Sequence, residues 1–316
     1  MSEESISRNQ FAPFTMSFEA PSNYKEPHEP LDQEAQEPFD SNIEQHKSDF
    51  LMKFFRYQAD ILPVAIFCSL SIADFAVFFF IENHWIVIAW MLAGLFPKAC
   101  ICAWNHHHQH VNIFRQKFLN RAIEVIYSLH TGITTNVWVL HHNLGHHLNY
   151  LDQSKDESAW KRPDGTVMGV MEYTMTIALT GYPRAHGVGK KHPRYVPALI
   201  GMEIFVASLL VGLFFINWFN ALFVFLIPMV WGLVVTCWAT YYHHSGLETD
   251  DHHEASHNIT HRWYNILTGN LGYHTAHHSK MALHWSRLPE LHKQISGKIP
   301  DELYVTPCIP FCWFKG

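Results

Sequence analysis

The chain has 316 residues, 48% of them hydrophobic and 15% aromatic, and a formal charge of −6 that leaves out its 25 histidines. Its mean hydropathy is −0.05, so a membrane portion and a large polar portion share one chain. No basic patch argues for a nucleic-acid partner, and the six cysteines lack the spacing of a zinc ribbon or a disulfide framework.

Residues 1–48 hold ten Asp/Glu against three Lys/Arg, with five Pro and no apolar signal-peptide core. Segment 1–50 is therefore predicted to be a disordered acidic tail. Four stretches then approach spanning length. Segments 61–81 and 84–103 form one hairpin across Glu82-Asn83, and 198–216 and 218–241 form a second across Asn217. Asp74 falls inside the first span, where a lone carboxylate is costly and suggests function by default; protonation or a bond to a neighbouring Ser is the structural reading, and it is the one favoured here. Lys98 is expected to snorkel toward the interface. Two complete hairpins return the chain to its starting side. Segment 104–197 carries ten Lys/Arg and both turns carry none, so that side reads as cytoplasmic.

Between the hairpins, Leu119, Ile123, Ile126, Ile133 and Val137 recur at helical spacing, predicting an amphipathic helix that lies at the interface or caps the site. Segment 167–181 is apolar but short and is expected to dip into the interface. Residues 51–295 read as one membrane domain and 296–316 as a C-terminal tail. The fold class predicted is all-α integral membrane: four transmembrane helices in two hairpins, with a cytoplasmic helical cap holding a His-rich site.

Nineteen histidines fall in two windows, nine in 106–147 and ten in 243–284. They form three clusters: His106-His107-His108-Gln109-His110, His141-His142-Asn143-Leu144-Gly145-His146-His147 and His274-Thr275-Ala276-His277-His278. Residues four apart share an α-helical face, which pairs His106 with His110 and His142 with His146. His147 points about 100° from His146, a splay that suits two ions better than one. His274, His277 and His278 fit one arc of about 100°. Eight imidazoles exceed the needs of a single ion, so two are implied. Imidazole suits Fe, Zn and Cu alike. No cluster carries the Glu of a His-Glu-x-x-His zinc hydrolase. A His-rich metal transporter is the non-enzymatic rival, but transporters place ligands near mid-membrane, where these spans hold almost no His.

The pattern His-x3-His, His-x3-His-His, His-x2-His-His, with paired spans before the first and third boxes, resembles the membrane fatty acid desaturase superfamily, with its related hydroxylases, acetylenases and alkene-forming decarboxylases. The resemblance covers about residues 55–295. It is most specific in Asn270-Leu271-Gly272-Tyr273-His274-Thr275-Ala276-His277-His278 followed by Leu283-His284-Trp285-Ser286, and extends to Phe114-Arg115. It implies a non-haem di-iron site of two Fe ions using O2 as co-substrate. The metal ligands implied are His106, His110, His142, His146, His147, His274, His277 and His278, with His244 after the last span and His243 as its alternative. The extra His107, His108 and His141 leave the register of the first two boxes open. His257 is implied as an outer partner or supplementary ligand, His284 as an outer or structural residue, and His252 and His253 as a solvated loop.

The resemblance further implies an oxidoreductase acting on a fatty acyl chain (free acid, thioester or lipid), first of all a desaturase. Hydroxylation, alkyne formation or oxidative decarboxylation on the same site is the alternative. No Gly-x-Gly-x-x-Gly fingerprint, Fe–S cysteine run or His-Pro-Gly-Gly is present, so a separate ferredoxin, rubredoxin or cytochrome-type donor is expected. Membrane lipid is the remaining partner.

Overall fold

The computed structural model describes residues 50–308, 310–313 and 315. The tail expected over 1–50 lies outside them except for Phe50. Among the described residues the fold is all-α, with isolated β-bridges and no named strand. Four helices are long and apolar enough to cross a membrane.

Helix α1 spans Ile61–Phe80 and α2 spans His84–His110. The turn between them is set by Asn83, whose side chain accepts from the backbone N–H groups of Trp85 (3.0 Å) and Ile86 (3.4 Å). At 27 residues, α2 is about 40 Å long, longer than the roughly 30 Å hydrocarbon core. Its last turns thus carry the first His cluster beyond the apolar segment. Helix α3, Lys117–Thr131, ends on Gly132 at φ 67°. That left-handed conformation ends the helix, and a Cβ on Gly132 would collide with the Met229 carbonyl, so the position requires glycine. Ile133 and Val137, expected to continue it, lie beyond its end.

The second His cluster occupies a π-helix, Trp138–His147. Helix α4 covers Val170–Gly189. The segment expected to dip briefly into the interface is therefore the start of a 20-residue helix, and it docks through Tyr173 on Tyr241, whose rings lie 5.3 Å apart. Helix α5 is Val196–Ile216, and α6 runs over Trp218–His244 with a π-helical insert at Ala221–Leu226. Three shorter helices complete the cap: α7 (Arg262–Thr268), α8 (His274–Ser279) and α9 (Leu288–Ile295).

Both hairpin turns sit at one end of the bundle. The Asn220 side chain donates to the carbonyls of Phe78 (3.0 Å) and Ile81 (2.9 Å), and His84 stacks on Phe219 at 3.8 Å. The His clusters stand at the opposite end.

Lys98 departs from the snorkelling expected of it. It is 1% exposed, 2.9 Å from Asp74, and donates to the Val224 carbonyl at 3.0 Å. Pro228 has no N–H to offer that carbonyl four residues earlier, and the lysine supplies the missing donor. Asp74 also accepts from Trp90 Nε1 at 2.8 Å. A pair buried this way is the structural reading of Asp74, with Lys98 as its partner in place of a serine.

Candidate metal centre

The chain brings nine imidazoles into two adjoining groups. His106 and His110 from α2, His142 and His147 from the π-helix, and His277 from α8 place their ring nitrogens within 4.8 Å of one another. His146, His244 and His278 form the second group, and His274 Nε2 lies 3.0 Å from His244 Nε2. These are the nine residues singled out in the sequence. Their distribution, however, departs from α-helical geometry. In a π-helix the backbone bonds run i→i+5, wider than the α-helical i→i+4; here His142 faces His147, with Nε2 atoms 3.0 Å apart, and His146 turns to the other group. Helix α8 likewise splits its set, sending His277 one way and His274 with His278 the other.

Hydrogen bonding alone does not account for these contacts. His244 Nε2 lies 3.2 Å from His146, 3.0 Å from His274 and 3.1 Å from His278, each at Nε2. One ring nitrogen offers either one proton or one lone pair, so it cannot satisfy three partners. The other ring edges fix the tautomers. His244 Nδ1 donates to the Ala255 carbonyl at 3.0 Å, and His146 Nδ1 donates to Asp156 at 2.8 Å. In the neutral rings both Nε2 atoms then present bare lone pairs to each other. A cation between them removes that repulsion. Two nitrogens bound at right angles to one ion at about 2.1 Å lie about 3 Å apart, the spacing found here. The donor set therefore fits transition-metal ions, and the Asp156 and Ala255 contacts are the orienting bonds that imidazole ligands need. His277 Nε2 has no hydrogen-bond partner although buried, as expected of an atom reserved for a metal.

Electrostatics point the same way. Burial first, and then neighbouring imidazoles, hold His142, His147, His274, His277 and His278 well below the usual histidine value. They are thus kept in the neutral form that binds metal.

The competing histidines are engaged elsewhere. His107 Nε2 donates to the Thr268 carbonyl at 3.1 Å, and His108 Nε2 lies 3.2 Å from Glu124. Burial lifts Glu124, but His108, Arg121 and Thr135 outweigh it and hold the carboxyl below its ordinary value. His141 is buried outside both groups. His243 bonds Tyr264 at 3.3 Å and stacks on His274 at 4.0 Å. His257 Nδ1 donates to the Tyr242 carbonyl at 3.1 Å, and His284 contacts Asp60 at 3.1 Å. His252 is exposed but not merely solvated: its Nδ1 is 2.6 Å from Tyr150 Oη, and the Tyr150 ring packs 4.3 Å from His278. Asp156 was missed in the sequence because it lies in a loop with no periodicity; its ten-residue distance from His146 carries no local signal.

A cavity of about 850 Å³ runs from these imidazoles down into the bundle. Its walls include Leu92, Phe96 and Ala103 of α2 and Trp231, Val235 and Trp238 of α6, and it ends on His106, His142, His244 and His274. Among the described residues, no Asp, Glu, Lys or Arg lines it. The size suits a medium-to-large apolar ligand.

A family model described as fatty acid desaturase matches residues 83–308. No match was found among curated proteins or among solved structures.

Proposed function

The chain belongs to the fatty acid desaturase family, and from that premise we propose that it is an oxygen-dependent non-haem di-iron oxidoreductase of fatty acyl chains, with desaturation as its reaction. The observation that carries this reading is the convergence of nine imidazoles in two groups beside an apolar cavity that no charged residue among the described ones lines. His106, His110, His142, His147 and His277 would hold one iron, and His146, His244, His274 and His278 the other. Bound there, the two irons would supply the O2-derived oxidising power that an unactivated C–H bond demands.

The chain's own residues account for the rest. Asp156 and the Ala255 carbonyl orient His146 and His244, fixing the lone pairs before metal arrives. The apolar walls bind hydrocarbon and exclude water from the imidazole end. Electrons would come from a separate ferredoxin, rubredoxin or cytochrome-type donor. The ten Lys/Arg of segment 104–197 support a cytoplasmic site. A tag at the Asn217 turn should then resist protease added to the cytoplasmic face; its cleavage there would reverse the orientation.

Mass spectrometry of acyl lipids from expressing cells tests the reaction. A product two mass units lighter supports desaturation, whereas an added oxygen or a lost carboxyl replaces it with another outcome on the same site. His278→Ala should abolish the product and lower iron content while membrane abundance stays near normal. A fully active variant would remove the third cluster from the site.

A further inference from the structure

We propose that Val305, Thr306, Cys308, Pro310 and Phe311 form the wall of the chamber that selects its hydrocarbon, with Phe311 the specificity-determining side chain; this rests on the reading that the chamber takes an acyl chain. All five line the cavity, although sequence sets 296–316 apart as a tail.

The wall is anchored at its base. Asn258 N–H donates to the Leu303 carbonyl at 2.7 Å, and Val305 N–H donates back to the Asn258 carbonyl at 2.9 Å. The Asn258 side chain in turn donates to Thr275 Oγ1 (2.8 Å) and accepts from the Thr275 N–H (3.1 Å). One residue thus fixes the wall to the helix that carries His274, His277 and His278.

Phe311 closes the upper part of this wall. It is 6% exposed, and its ring lies 5.1 Å from Tyr264 on α7 and 5.6 Å from Phe96 on α2. It therefore bridges the cap and a membrane span, with chamber space on one side. Phe96 itself is 39% exposed, so the boundary between chamber and lipid runs beside this ring pair. The buried pair Lys98 with Asp74 is absent from the lining and is self-compensated. Nothing inside holds an ionised head group, so selection depends on shape and volume.

The test uses full-length protein in lipid nanodiscs and needs no turnover. Bromine-labelled fatty acids of graded length, and one methyl-branched chain, quench the fluorescence of Trp231 and Trp238, which line the chamber. Phe311→Ala should shift relative affinity toward the longer and branched chains by about 10-fold or more, the scale of a methylene in an apolar pocket. Phe311→Trp should shift it the opposite way. Phe311→Leu is the milder change and should move preference in the Ala direction even if Phe311→Ala fails to fold. Iron content should stay at the parent level. Binding to the parent with preference unchanged in the folded variants overturns the wall alone, whereas failure of every chain to bind the parent overturns the acyl reading as well.

Discussion

His244 Nε2 meets three other imidazole nitrogens within 3.2 Å, and the side chains behind the rings decide whether such crowding is tolerable. Asp156 is the clearest case. It is 5% exposed, accepts from His146 Nδ1, and accepts from the Ser158 N–H at 2.7 Å. Asp156→Asn keeps the volume but removes the charge that favours a proton on Nδ1. Iron affinity should fall about 10- to 100-fold, the usual effect of losing an orienting partner, with Tm little changed. Competition against a chelator measures it, and unchanged affinity would leave Asp156 with no part in positioning. Protons act on the same rings. The folded values of His142, His147, His277 and His278 are depressed by burial and then by their neighbours, so these rings stay neutral in the fold. The unfolded chain takes up protons below about pH 6.5. Stability of the chelator-treated protein should therefore be flat above that pH and fall as acid is added below it. Thermal unfolding from neutral to mildly acidic pH reads this directly; a Tm that rises on acidification contradicts it.

Among the elements, the π-helix at Trp138–His147 has the greatest consequence for the site. It allows one short segment to serve both groups: His142 and His147 one way, His146 the other. Deleting Leu144 would convert the i→i+5 register to an α-helical one, in which His147 stands four residues after His142 and still shares its face, while His146 stands three after it and is drawn away from His244 and His278. That variant should lose metal from the group of His146, His244 and His278. Leu144→Ala, which leaves the register intact, should keep the metal content of the parent and lose only packing energy, about 2–5 kcal/mol for a buried leucine. Equal iron in the two variants would show that register is not the determinant. The same element marks where sequence reading stops. Spans and clustered imidazoles are legible because apolar length and residue type are local properties, and His106 and His110 follow from ordinary α-helical spacing. The choice between i→i+4 and i→i+5 bonding turns on tertiary packing, so the pairing of His142 with His147 was not legible. Asp156, Asn258 and the chamber wall were hidden for a related reason: their roles depend on partners distant in sequence.

At the scale of the whole molecule, the two hairpins must hold their His-bearing ends in register across long apolar spans. The Asp74–Lys98–Val224 connection does this, joining α1, α2 and the π-insert of α6. Ser71 and His130 extend it to α3, with 2.8 Å between Oγ and Nε2 and 3.5 Å from His130 Nδ1 to Asp74. A buried ion pair is a weak net stabiliser, but removing one partner strands the other. Lys98→Met should therefore destabilise by about 3–5 kcal/mol, leaving the Asp74 carboxylate uncompensated and the Val224 carbonyl without its donor. Replacing Asp74 by Asn at the same time should recover most of that loss, and the double variant should keep its iron, because neither side chain reaches an imidazole of the two groups. Thermal unfolding in detergent, followed with iron content, separates the contributions. If Lys98→Met proves thermally silent yet catalytically dead, the pair serves the reaction and not the fold. If the double variant stays as unstable as the single, the carbonyl contact outweighs the ion pair, and the connection acts chiefly by completing the helix that Pro228 interrupts.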